Sequence, residues 1–186
     1  GIGLGTVDVV ANALDIRAIT GDIIDNLLGD LTSAVTAGDL TLTATADGGA
    51  IGASGAANDI NVTLSGTLTA TASTGGGGIF VTETGAMSVN TIDSGGGLGG
   101  DIELESTGAI TDAAGADETT DVSGADLTIR NSAGIGTNAA DALNLSVDNL
   151  TITKTSGAAF ITEANGIGLG TVNVVANALD IQAITG

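Results

Sequence analysis

No cysteine, tryptophan, tyrosine or histidine occurs among the 186 residues, and phenylalanine and methionine appear only twice and once. Each absence excludes something. Without cysteine there is no disulfide framework, which suits a chain that must cross a membrane unfolded. Without histidine, a serine nucleophile has no imidazole to activate it. With aromatic side chains so scarce, a compact globule filled by large rings is ruled out, and the core has to be narrow and repetitive. Basic residues are nearly missing too: Arg17, Arg130 and Lys154 stand against 22 acids, a net charge of −19. That balance excludes nucleic acid and anionic membrane surfaces as partners, since both require a Lys/Arg face. No apolar run approaches the roughly 20 residues of a membrane helix, so no membrane insertion is expected, and no signal peptide is visible.

What remains is an alphabet of small and branched residues, with 31 glycines and 42% hydrophobic positions. The apolar residues alternate with polar ones, which argues against disorder. "LTLTAT" from Leu40, "INVTL" from Ile60, "IELES" from Ile102, "LNLSV" from Leu143 and "LTITKT" from Leu150 each place apolar side chains on one side and polar ones on the other. Period two with branched residues predicts short strands with one buried face. "ADGG", "TGGGG" and "DSGGGLGG" between them are turns in which glycine takes conformations closed to other residues.

The chain also repeats itself. "GIGLGTVDVVANALDIRAITG" (residues 1–21) returns as "GIGLGTVNVVANALDIQAITG" (residues 166–186), 165 residues later, with only Asp8→Asn173 and Arg17→Gln182 changed. Strand starts at Leu14, Leu40, Ile60, Ile79, Ile102, Leu127, Leu143, Ala159 and Leu179 divide that interval into eight rungs of about 21 residues. The rungs form two similar groups, about 14–101 and 102–178. "VTAGDLTL" from Val35 is echoed by "VSGADLTI" from Val122, and "FVTETGAMSVNT" from Phe80 by "FITEANGIGLGT" from Phe160. Nested repeats of this length predict an all-β fold, a parallel β-helix or β-solenoid. The chain is expected to be one uncapped solenoid segment over 1–186, with 166–186 beginning the next copy, and a rise of about 38 Å per repeat.

The units "GGDIELESTGAITDAAG", "GIGTNAADALNLSVDNLTIT" and "AAFITEANGIGLGTV" resemble the long repeat regions of filamentous-haemagglutinin-like exoproteins and giant bacterial surface adhesins. The resemblance covers essentially the whole chain. It implies a right-handed β-helix serving as the shaft of a very long protein, located extracellularly or on the cell surface of a Gram-negative bacterium.

Candidate sites are few. Acid collects in two rungs, Asp22, Asp25 and Asp30 in one and Asp112, Asp117, Glu118 and Asp121 in the other. With Asp101, which closes the calcium-repeat-like "GGLGGD", these carboxylates are candidate Ca2+ ligands, although no cofactor is required by the pattern. The alternative is a set of solvated loops. Glu103 and Glu105 alternate on one outer face, so a paired acid–base role is not expected, and the scattered basic residues argue against catalysis. A groove uniting Arg130 or Lys154 with several carboxylates would reopen that question. Thr41/Thr43, Thr69/Thr71 and Thr151/Thr153 are expected on different strands of their rungs, which excludes an ice-binding array. Phe80 and Phe160 are expected on the outer face, about four rungs and 19 Å apart, as a stripe for lateral contact between rods. The expected function is thus a non-catalytic fibre shaft, with further copies of itself as end-to-end partners and lateral self-association into filaments. The competing function is a calcium-dependent or glycan-binding adhesive module.

Overall fold

A computed structural model describes residues 1–27, 33–55, 58–73, 75–95, 100–115, 119–175 and 178–184, and of Lys154 only the backbone. Every strand pair is parallel, and the strands stack in two columns. Sheet A carries β1 (Ile2–Leu4) and β2 (Val7–Asp8), then β4 (Ile23–Asp25) and β5 (Val35–Ala37). It continues through β7 (Ile60–Leu64), β9 (Ile79–Glu83), β11 (Ile102–Ser106) and the second halves of β13 (Val122–Arg130) and β15 (Leu143–Thr155), to β17 (Gly168–Val174). Sheet B carries β3 (Leu14–Ala18), β6 (Leu40–Ala44), β8 (Thr67–Thr71), β10 (Met87–Asp93) and β12 (Ala109–Asp112). The first halves of β13 and β15, with β14 (Gly134–Ile135), β16 (Ala159–Glu163) and β18 (Leu179–Ala183), complete it. Each rung takes one stretch of strand, continuous or interrupted, from each sheet.

The period-two pattern explains the stacking. In β9 the burial alternates, with Ile79, Val81 and Glu83 inward and Phe80 and Thr82 outward. Successive rungs place like on like: Ile2, Ile23, Ile51, Ile79, Ile102, Leu127, Leu150 and Leu169 are register partners from the first rung to the eighth. The six inner members of that column are at most 1% exposed. Burying each is worth about 1.5–3 kcal/mol, and the inward residues of both sheets merge into one core.

That column corrects the rung count. The eight rungs are separated by seven turns of about 23 residues, not eight of about 21. Ile60, Ile79, Ile102 and Leu127 belong to sheet A, whereas Leu14, Leu40, Leu143, Ala159 and Leu179 belong to sheet B. The steps from Leu40 to Ile60 and from Leu127 to Leu143 therefore cross between sheets and are half turns. Seven turns at strand spacing give a repeat of about 34 Å rather than 38 Å.

It follows that the internal duplication spans three and a half turns and exchanges the sheets. "VTAGDLTL" runs from β5 on sheet A into β6 on sheet B, while its echo "VSGADLTI" runs within β13 from sheet B to sheet A. Insertions follow the same rule. Sheet A is interrupted in rungs 2 and 3, between β4 and β5 and between Ile51 and β7. Sheet B is interrupted in rungs 5 and 6, between β12 and β13 and between β14 and β15. The second insertion of each pair opens on a glycine with positive φ, Gly52 (69°) and Gly136 (63°). A Cβ there would lie 2.5 Å from the Phe80 carbonyl oxygen and 2.6 Å from that of Phe160. Only glycine meets both demands.

Candidate functional site

The acids predicted as calcium ligands are mostly engaged in holding backbone. Asp22, at the entry to rung 2, accepts from Ala50 N in the next rung at 2.9 Å. Asp121 does the same for Asn144 N at 2.8 Å. Asp25 and Asp112 close local turns, accepting from Leu27 N (2.8 Å) and Ala114 N (2.7 Å), and the second oxygen of Asp112 is buried without a hydrogen-bond partner. Asp101 is exposed at the start of rung 5. Asp30, Asp117 and Glu118 lie outside the described residues, as do Gly96–Gly99 of "GGLGGD". Among the described residues no group of three or more acidic side chains is placed to hold a metal ion. Asp22 and Asp121 thus tie neighbouring rungs together, while Asp25 and Asp112 hold the turns that follow them.

The densest polar constellation was not predicted. Arg130, on the outer face of sheet A in rung 6, meets Glu105 Oε2 at 3.4 Å and Glu103 Oε1 at 2.7 Å in rung 5, and Asp59 Oδ2 at 2.9 Å in rung 3. The contact from Arg130 Nε to Glu103 is a charge contact whose angle does not make it a hydrogen bond, whereas Nη2 to Asp59 is one. Asp59 is only 2% exposed and also accepts from Thr82 Oγ1. Glu103 Oε2 takes the Gly55 N–H at 3.2 Å, and Glu105 takes the Asn131 amide at 2.7 Å. The cluster thus ties Gly55 and Asp59 of the rung 3 interruption to Thr82 in rung 4, Glu103 in rung 5 and Arg130 in rung 6. A sequence signal existed only in part: Glu103, Glu105 and Arg130 share the outward phase. Asp59, 71 residues before Arg130, joins them only once the rungs are counted correctly.

This arrangement unites Arg130 with several carboxylates, the condition that would reopen the question of catalysis. Its geometry points to a clamp. The guanidinium is 18% exposed and its charge is shared among three carboxylates of rungs 3 and 5. Arg17 is exposed at the rod's first rung, and the Lys154 side chain lies outside the described residues.

The aromatic pair is split. Phe80 is half-buried on sheet A in rung 4 and Phe160 half-buried on sheet B in rung 7. Both are on the outer face but half-buried where exposed rings were expected, and they do not form one stripe, because the duplication moves the second ring to the other sheet. The Phe80 ring folds over Gly78, where a Cβ would come within 2.4 Å of it. The threonine pairs also differ from expectation: Thr41/Thr43 and Thr69/Thr71 stack in register on adjacent rungs of sheet B, while Thr151/Thr153 lie on sheet A.

The two ends complete the description. All the strongly exposed large apolar side chains among the described residues belong to the first two rungs (Val10, Ile19, Ile24) or the last (Leu169, Val175, Leu179, Ile184). The repeated sequence is seen in both contexts. In rung 1 it pairs with rung 2 through β3 and β6, and in rung 8 with rung 7 through β16 and β18. Compared against known protein families, curated proteins and solved structures, the chain matches none. The β-solenoid is therefore established by its own stacking, and the narrower likeness to haemagglutinin-like exoproteins rests on the repeat units alone.

Proposed function

We propose that this chain is a shaft segment of a long repetitive extracellular fibre, built by stacking one 165-residue unit on the next. One observation carries it: the same rung sequence is paired through one edge at the start of the rod and through the opposite edge at its end. On sheet B both pairings use one register, Leu14 with Leu40 and its counterpart Leu179 with Ala159, so a single rung can be covered there on both edges at once, while on sheet A the column passes from Ile2 to Leu169, the counterpart of Leu4, and shifts by two residues where copies meet. The stacked rungs satisfy the backbone along the axis, and the acidic exterior keeps the rods apart in solution. A cell-surface setting in a Gram-negative bacterium is in keeping with the repeat units and with the absence of cysteine. The role is mechanical and non-catalytic, and Ca2+ is not required for it.

The test is length. Chains carrying one, two and three copies of the 165-residue unit, measured by small-angle scattering, should lengthen by about 34 Å per copy at constant cross-section. Compaction into a wider particle would overturn the proposal. Excess chelator should leave the melting temperature unchanged; a large drop would favour the calcium-dependent adhesive module instead.

A further inference from the structure

Two glutamates occupy inward positions that elsewhere hold apolar residues. Glu83 ends β9 after inward Ile79 and Val81, and Glu163 ends β16 after inward Ala159 and Ile161. Neither has any exposed surface. They are counterparts in the half-repeat, three and a half turns apart and on opposite sheets. Glu83 stacks between Val62 of β7 and Ser106 of β11, and Glu163 between Leu145 of β15 and Ala183 of β18.

Their hydrogen bonding matches as well. Glu83 Oε1 accepts from Leu64 N at 3.1 Å and Gly85 N at 3.0 Å. Glu163 Oε1 accepts from Val147 N at 3.3 Å and Asn165 N at 3.4 Å. In both, Oε2 is buried with no hydrogen-bond partner. An ionised carboxylate in that setting has one oxygen stripped of water with nothing in return, whereas a carboxylic acid buries no charge.

We propose that Glu83 and Glu163 are pH-sensitive corner posts, held inside the rod as neutral acids and loosening their corners when they ionise. The surroundings support this. Val62, Leu64, Gly85 and Ser106 around Glu83 bring no charge, and burial pushes its carboxyl from 4.5 up to about 7 against the pull of the two N–H groups. Burial also raises Glu163, and the Asp148 carboxylate on β15 acts in the same direction. Arg130, Glu103 and Glu105 sit on the outer side of sheet A, bound to one another.

In the unfolded chain both glutamates ionise near 4.5, while in the rod Glu83 holds its proton to about 7. The stabilisation is therefore complete below the lower value and is lost as pH rises through the upper one. For Glu83 alone this amounts to a factor on the order of 10² in the folding equilibrium.

The experiment compares urea unfolding of the wild-type 186-residue chain with E83Q, E163Q and the double variant at pH 5, 6, 7 and 8, with D101N as an exposed control. Glutamine copies the shape of the neutral acid and cannot ionise. The double variant should lie within a few fold of wild type at pH 5 and exceed it about a hundredfold or more at pH 8, with D101N following wild type throughout. The general repulsion of the acidic surface affects all the chains and cancels in the difference. An equal gap at pH 5 and pH 8 would overturn the proposal. If the glutamine variants do not fold, carbon-13 NMR of the wild-type carboxyls decides: the Glu83 carboxyl should titrate near 7 and that of Glu163 above the ordinary glutamate range, and titration of every glutamate below pH 5.5 would overturn it.

Discussion

Sheet A in rungs 3 to 6 and sheet B in rungs 6 to 8 are built from the same duplicated pattern, yet their outer faces diverge around the Arg130 cluster. Inward the correspondence is close: Ile60 and Leu143, Val62 and Leu145, Val81 and Ile161, Glu83 and Glu163, with Gly52 and Gly136 at the matching turns. Outward it breaks. Ala142 stands where the first face has Asp59, Gln182 where it has Glu105, and Thr43 on rung 2 where it has Arg130. Among the described residues one face is clamped by ion pairs and the other is not, although both carry the same inward columns and turn glycines, which makes those columns and glycines the features common to both halves.

The largest effect that can probe this comparison lies at the glycines. G52A and G136A should each cost about 3 kcal/mol in urea unfolding, since each forces a side chain into positive φ and against a carbonyl oxygen. Near-equal losses would sharpen the equivalence of the halves, and a harmless G136A would break it. Next comes the clamp. R130T, which gives the clamped face the threonine of its counterpart, should cost about 2 kcal/mol because Asp59 is left buried without its cation. Adding D59A, the alanine of the other half, should recover at least half of that loss in a double-mutant cycle. The smallest effects are at the rings. F80A and F160A should each lower stability by about 1 kcal/mol, as expected for half-buried side chains, with a matching small drop in melting temperature.

Much of the fold is written in the alternation. Ile, Leu and Val at every second position, closed by glycine-rich turns, identify the strands and their inner faces, and the return of residues 1–21 shows that the strands stack as a coil. The phase of the coil is the part that hides. Because the half-repeat spans three and a half turns, "LTLT" on sheet B and "LTIR" on sheet A read alike, and nothing local says which sheet a strand joins. The extra rung in the count, the single stripe expected of Phe80 and Phe160, and the unforeseen meeting of Asp59 with Arg130 all come from that ambiguity. Glu83 and Glu163 were legible in principle, as acids in the inward phase of "IFVTE" and "AFITE". What sequence could not supply was the closed corner that leaves one oxygen of each without water.

Placing the insertions on opposite sides at intervals of half a repeat also has a mechanical consequence. A coil thickened on one side only has unequal flanks and bows, because each turn tilts slightly the same way. Here sheet A is interrupted in rungs 2 and 3 and sheet B in rungs 5 and 6, so the interruptions fall on opposite flanks half a repeat apart. In a stack of such units neither flank would carry all of the interruptions.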